Sequence, residues 1–208
     1  MENILVAGAH GTTGQKVISL LKESQYFKPI AMVRKEEQAE RFKSKGVDSR
    51  LGDLEKNLND VTKGIDKVIF AAGSKGKNLK GVDQEGAKKL IDESKKANIK
   101  KFVMLSSIGA GHPEESDRLQ EYLKAKHNAD EYLKKSGLTY AIVRPGTLTN
   151  EKGTGKIKTA DRLEEHGEIS REDVAQILVR ALHDDTVIDK AFEMVAGEEL
   201  IGAAMDKV

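Results

Sequence analysis

The chain has 208 residues, a length that suits one α/β domain with a short accessory segment better than two full domains. Its 35 Lys and Arg nearly balance 34 Asp and Glu, so nothing recommends nucleic acid or an acidic membrane as a partner. It has no Cys, which excludes disulfides, thiolate metal sites and a Cys nucleophile, and no metal is expected.

Asn3–Ala7 is a short apolar run that meets glycine at once, and it reads as the first strand. It lacks a basic n-region and a long apolar h-region, and no run approaches a membrane span, so the expected location is the cytoplasm. Helix is expected at Thr13–Lys22, strand at Pro29–Val33, helix at Glu36–Lys45 and strand at Ser49–Leu51. The pattern continues with helix Leu54–Thr62, strand Lys67–Ala72, helix Val82–Ala97, strand Lys101–Leu105, helix Asp117–Lys135 and strand Thr139–Val143. In Val82–Ala97 the residues Ala87, Leu90, Ile91 and Ser94 are spaced to form one buried stripe. Alternation of apolar strands with amphipathic helices implies an α/β fold, with a parallel sheet covered on both faces.

After Arg144-Pro145-Gly146 the pattern changes. The polar stretch Thr149–His166, with Gly153 and Gly155, reads as a long loop or flap. Ser170 is placed to cap a helix, with Asp173 three residues on, before the apolar run Val174–Leu182. Val187–Val195 reads as an edge strand. Residues 149–208 are therefore expected to form a small C-terminal cap on a single domain spanning residues 1–208.

Gly8, Gly11 and Gly14 follow the first strand and open the first helix with the spacing G-x-x-G-x-x-G. A dinucleotide needs glycine here for a tight turn, for close approach of its diphosphate to the backbone, and for helix–sheet packing. The helix start then offers free N–H groups and the positive end of its dipole. A tight βα turn without ligand would use the same glycines, but the βαβ setting favours a doubly wound, Rossmann-type nucleotide site. Thr12 and Thr13 can add hydroxyl donors. His10 is either a donor to phosphate or a solvent-facing loop residue.

At the end of the second strand, where an acid would bind the ribose hydroxyls of NAD, the chain has Arg34-Lys35. A guanidinium suits a 2′-phosphate, so NADP is expected over NAD. Glu36 and Glu37, as first-turn acids, would also offset an ordinary surface Arg. In Gly52-Asp53-Leu54, Asp53 could accept from the adenine amino group, cap the next helix, or both. Leu54 is included in the same contact. Ala71-Ala72-Gly73 ends the fourth strand with side chains small enough for a ligand to lie over the sheet, or for tight strand-to-loop packing.

The ordered segments GAHGTTG, AMVR, GDL, VIFAAG, VDQEGAKKL, KKFVMLSSIGA, YLKAK, YAIVRPGTLTNE and ISREDVAQ resemble the short-chain dehydrogenase/reductase superfamily. More narrowly, they are similar to its atypical group, related to NAD-dependent epimerase/dehydratases, NmrA-like proteins and flavin/biliverdin reductases. The resemblance runs from Ile4 to about Leu182. It implies a catalytic set of Ser107 (Ser106 as the alternative), Tyr122 and Lys126. Lys126 at i+4 would favour the phenolate of Tyr122 and bond the nicotinamide ribose. Pro145 and Gly146 would lie against the cofactor. One departure stands out: the family usually has Asn where this chain has Asp83. Leu119, Tyr122, Leu123, Ala129 and Leu133 also share one stripe, so Tyr122 could instead be core. The implied protein is an NADP-dependent oxidoreductase or epimerase-type enzyme on a small carbonyl or alcohol substrate, monomeric or homodimeric. The alternatives are a non-catalytic NADP(H) sensor and a structural protein with a vestigial site.

Overall fold

The apolar runs condense into neighbouring strands of one sheet. In this computed structural model, residues 1–74, 76–164 and 166–208 are described. The strands β1 (Glu2–Ala7), β2 (Phe27–Val33), β3 (Asp48–Leu51), β4 (Lys67–Phe70), β5 (Lys101–Leu105) and β6 (Tyr140–Pro145) lie in the order 3-2-1-4-5-6, every pair parallel. The chain reverses its direction of travel across the sheet between β1 and β4, which is the switch point where open α/β sheets bind ligands.

Alternation along β1 shows why both faces are covered. Ile4 and Val6 join Val17, Ile18 and Leu21 of α1 (Thr12–Glu23) and Val174, Ile177 and Leu178 of α5 (Arg171–Arg180). Leu5 and Ala7 face the other way, with Leu90 and Ile91 of α3 (Ala87–Lys96) and Ala129 and Leu133 of α4 (Gln120–Lys134). The side-chain period of two thus sends one strand into two cores. The short α2 (Glu36–Lys43) adds Phe42 to the first of them.

Three expectations are corrected. Leu54–Thr62 is a series of turns rather than a helix. The Asn57 side chain accepts the Asn59 N–H at 3.2 Å, and Asp60 has a φ of 61°. Side-chain bonds of this kind compete with helix, and Arg50 Nη1 holds the turns by donating to the carbonyls of Asp60, Val61 and Lys63. The stretch from Thr149 to His166 is not an open flap: Asp173 accepts the amides of Thr154 and Gly155, pinning it to the start of α5. It then forms β8 (Lys156–Ala160), while β7 (Thr147–Thr149) pairs with β9 (Glu168–Ser170). Glu165, inside the expected flap, lies outside the described residues. Finally, β10 (Lys190–Ala196) is no edge strand. It is parallel to β6 and antiparallel to β8, and β11 (Glu199–Leu200), before α6 (Ile201–Met205), pairs with the far side of β8.

The expected helix Val82–Ala97 is present but begins differently. Leu79–Gly86 winds as a π-helical turn that leads into α3. Such turns are uncommon and frequent at functional sites.

Candidate functional site

Because β1 to β6 are parallel, their carboxyl ends bring six expected segments to one edge of the sheet. At β1, Gly8 has a φ of +84°, and a Cβ there would stand 2.6 Å from the backbone of Ala71 and Ala72. The turn after β1 and the small residues after β4 therefore touch across the switch point. Gly14 packs closer still, its Cβ position being 2.1 Å from Gly8 O. Gly11 is the open member, with only Gly8 O near, at 3.1 Å.

The start of α1 fits a diphosphate. Gly11 is its N-cap and supplies no side chain, and no acid occupies the first turn. Among the described residues, the amides of Thr12, Thr13 and Gly14 have no acceptor in the chain. These are the orphan donors that a helix leaves at its start. Thr13 is buried, Thr12 and His10 are exposed, and the His10 carbonyl accepts from Gln15 Nε2 at 2.9 Å.

Arg34 stands exposed at the end of β2, and its amide donates to Gln38 Oε1. Among the described residues its guanidinium has no acidic partner, although Glu36 and Glu37 open α2 nearby in sequence. Asp53 caps a turn, accepting the Glu55 amide at 3.1 Å. Leu54 turns inward: it is buried, and its Cβ would be 2.7 Å from a Cβ on Gly86. Its side chain serves the packing of the π-helical turn. Gly146 is likewise required by packing, since a Cβ there would meet Gly167 O at 2.2 Å. Pro145 is buried, and its carbonyl accepts the Ile108 amide at 2.8 Å.

The inward face of α4 carries Tyr122, Lys126 and Asp130 one turn apart. Tyr122 is half-buried and Leu119 is exposed, so the expected core stripe does not extend through the start of this helix. Lys126 is 5% exposed, with Nζ 5.8 Å from the Tyr122 ring centroid and 3.4 Å from Asp83 Oδ1. The Asp83 carboxylate, on the π-helical turn, also accepts the Ser74 amide at 2.9 Å. An Asn could make that last bond but could not neutralise Lys126. Ser107 is half-buried, its hydroxyl donating to Ile108 O at 3.3 Å.

Two buried polar groups escaped the sequence reading. Asp130, fully buried, accepts from Ser106 Oγ at 2.9 Å and Arg144 Nε at 3.0 Å. Burial raises its carboxyl above the ordinary range, and Arg144, Ser106 and Lys126 oppose that rise. Glu193 of β10, 4% exposed, accepts the amides of Gly109 and Leu163, each at 2.9 Å. The only sequence signal was a charged residue inside an apolar strand pattern, at Arg144 and Glu193.

Comparison with known proteins agrees with this geometry. The family model described as NAD(P)H-binding matches residues 8–185. A Bacillus subtilis protein named uncharacterized sugar epimerase YhfK is 39% identical, covering 99% of each chain. Sanguinarine reductase of Eschscholzia californica is 28% identical, covering 97% of this chain and 91% of its own. A solved Bacillus halodurans structure, assigned as an NAD-dependent epimerase/dehydratase, superposes with a TM-score of 0.95 at 36% identity and covers 100% of both chains. Glycine turn, sheet order and relatives together make this chain a member of the NAD(P)H-binding family of Rossmann-type proteins, akin to epimerase/dehydratases and reductases.

Proposed function

We propose that the protein is an NADP-dependent reductase of a small carbonyl-type acceptor, with Tyr122 delivering the proton. The observation that carries this reading is the buried Lys126 ammonium beside the Tyr122 ring, on the helix face turned toward the nucleotide edge. The bound nicotinamide supplies the hydride. Tyr122 gives its phenolic proton to the acceptor oxygen, Lys126 stabilises the phenolate left behind, and Ser107 orients the oxygen. The Thr12, Thr13 and Gly14 amides hold the diphosphate, and Arg34 grips the 2′-phosphate, which a point-charge lysine would do less specifically. A relative named for reduction of a small molecule supports the same direction of chemistry.

The test is NADPH oxidation over a panel of carbonyls, quinones and flavins, comparing wild type with Tyr122→Phe. Turnover in the variant is expected to fall about 100-fold or more, with NADPH affinity unchanged. One observation favours a second reading: the Asp83 carboxylate balances the Lys126 charge, which suits a protein that binds NADP(H) as a sensor. No turnover by wild type with any acceptor, together with tight NADPH binding, would select that reading.

A further inference from the structure

The Glu193 carboxylate is buried with no cation in pairing distance among the described residues. The nearest candidate in register, Arg144 on β6, is committed to Asp130. Burying an unpaired carboxylate is costly, and hydrogen bonds to its charged form must offset that cost. Both oxygens are used: Oε1 accepts the Gly109 amide and Oε2 the Leu163 amide. Of the ordinary side chains, only a carboxylate offers two separate acceptor oxygens and no donor to two fixed N–H groups.

Those two amides belong to different segments. Gly109, at φ +80°, closes the turn that carries Ser107, and the same turn rests on β6 through Ile108. Leu163 belongs to the segment that leaves β8. A second contact crosses the same seam on the outside, where Arg162 Nη2 meets Glu115 Oε2 at 2.6 Å on the short turn before α4. The seam runs beside the serine loop and the start of α4.

We infer that Glu193 is a positioning residue, clasping the serine loop after β5 to the segment after β8 and thereby forming the substrate-side wall of the site. Its meaning for catalysis rests on the reductase reading above; the clasp itself does not. Glu193→Gln retains the size but replaces one acceptor with an NH₂ donor that faces an amide donor.

The experiment is hydrogen–deuterium exchange of the NADPH-bound protein, wild type against Glu193→Gln, followed in segments 107–111 and 161–164. Exchange in both is expected to quicken about tenfold, while segment 8–14 stays as in wild type. In turnover, the acceptor KM is expected to rise about tenfold with NADPH affinity unchanged. Unchanged exchange in both segments would overturn the inference, as would acceleration spread evenly over β1 to β6. If the Gln variant fails to fold, Glu193→Asp keeps the charge but is one methylene shorter. It is expected to free one segment, and wild-type exchange in both would refute the clasp. Absence of turnover in wild type would refute the reductase reading and leave the exchange result to decide on Glu193.

Discussion

Substituting Gly8 or Gly11 of the turn by alanine separates what the fold needs from what the ligand needs. At Gly8 the backbone is left-handed, which costs an L-residue about 1–2 kcal/mol. The added methyl would also lie 2.6 Å from backbone atoms of Ala71 and Ala72, which cannot rotate away. Overpacking of that kind costs about 1–3 kcal/mol, for a total of about 2–5 kcal/mol. In a chain of this size about 2–4 °C of melting temperature goes with each kcal/mol, so Gly8→Ala should melt about 4–20 °C lower. Gly11 has ordinary extended angles, φ −70° and ψ 165°, and only Gly8 O near its Cβ position. Gly11→Ala should lose only the N-cap preference, about 1 kcal/mol or less, while weakening NADPH binding about tenfold by crowding the free amides. Thermal melts of both variants, with NADPH titrations of the folded ones, make the comparison. Gly8→Ala melting like wild type, or Gly11→Ala falling as far as Gly8→Ala, would show that strain and crowding at Gly8 do not set the cost.

Asp130→Ala leaves Arg144 buried without its anion and should cost about 3–5 kcal/mol in urea unfolding, whereas the double variant Asp130→Leu/Arg144→Met should recover most of it. If the double variant is no more stable than the single, the buried pair is not the cause. At the opposite end of the sheet, Lys101 donates to the carbonyls of His183 and Thr186. Burial, with the neighbouring Lys67 ammonium, lowers its pKa to about 8 from 10.5. Between those values the unfolded chain binds more protons than the folded one, so this group makes stability rise with pH over that window. Lys101→Met should flatten the rise in urea unfolding measured at several pH values; an unchanged slope would contradict it. Below about pH 4, Asp184 and Asp66 likewise make stability rise with pH. The Lys67 bond to Asp184 and the Asn3 amide bond to Asp66 hold both carboxyls low, so their stabilisation is lost as pH falls through the folded pKa values. Unfolding measured from pH 5 downward should show Lys67→Met losing less stability than wild type.

Much of the fold was legible in the sequence because β1, β2, β4, β5 and β6 are largely apolar runs, and their alternation with helices implies a parallel sheet. The errors have local causes. Leu54–Thr62 has helical spacing, but the Asn57 side chain takes the Asn59 amide and Asp60 adopts a φ of 61°, which breaks the helix into turns. β8 reads Lys-Ile-Lys-Thr-Ala, with Ile157 its only fully enclosed side chain, so it resembles a loop until β10 arrives to pair with it. The glycine turn, Arg34, Tyr122 and Lys126 were visible as motif members. Asp130 and Glu193 were not, since a charged residue in a Lys/Glu-rich chain reads as surface until the fold buries it. The role of Gly146 was visible in kind but not in cause: Gly167 of the later segment, brought there by the β7–β9 pairing, fills the space beside it.

We propose that a dinucleotide is held at the Gly8–Gly14 turn with its 2′-phosphate on Arg34. Fluorescence titration of wild type and Arg34→Ala with NADPH and NADH tests it most directly. Wild type is expected to bind NADPH more tightly than NADH, and Arg34→Ala to lose about tenfold or more for NADPH and little for NADH. Equal affinities for the two nucleotides, unmoved by the substitution, would contradict it.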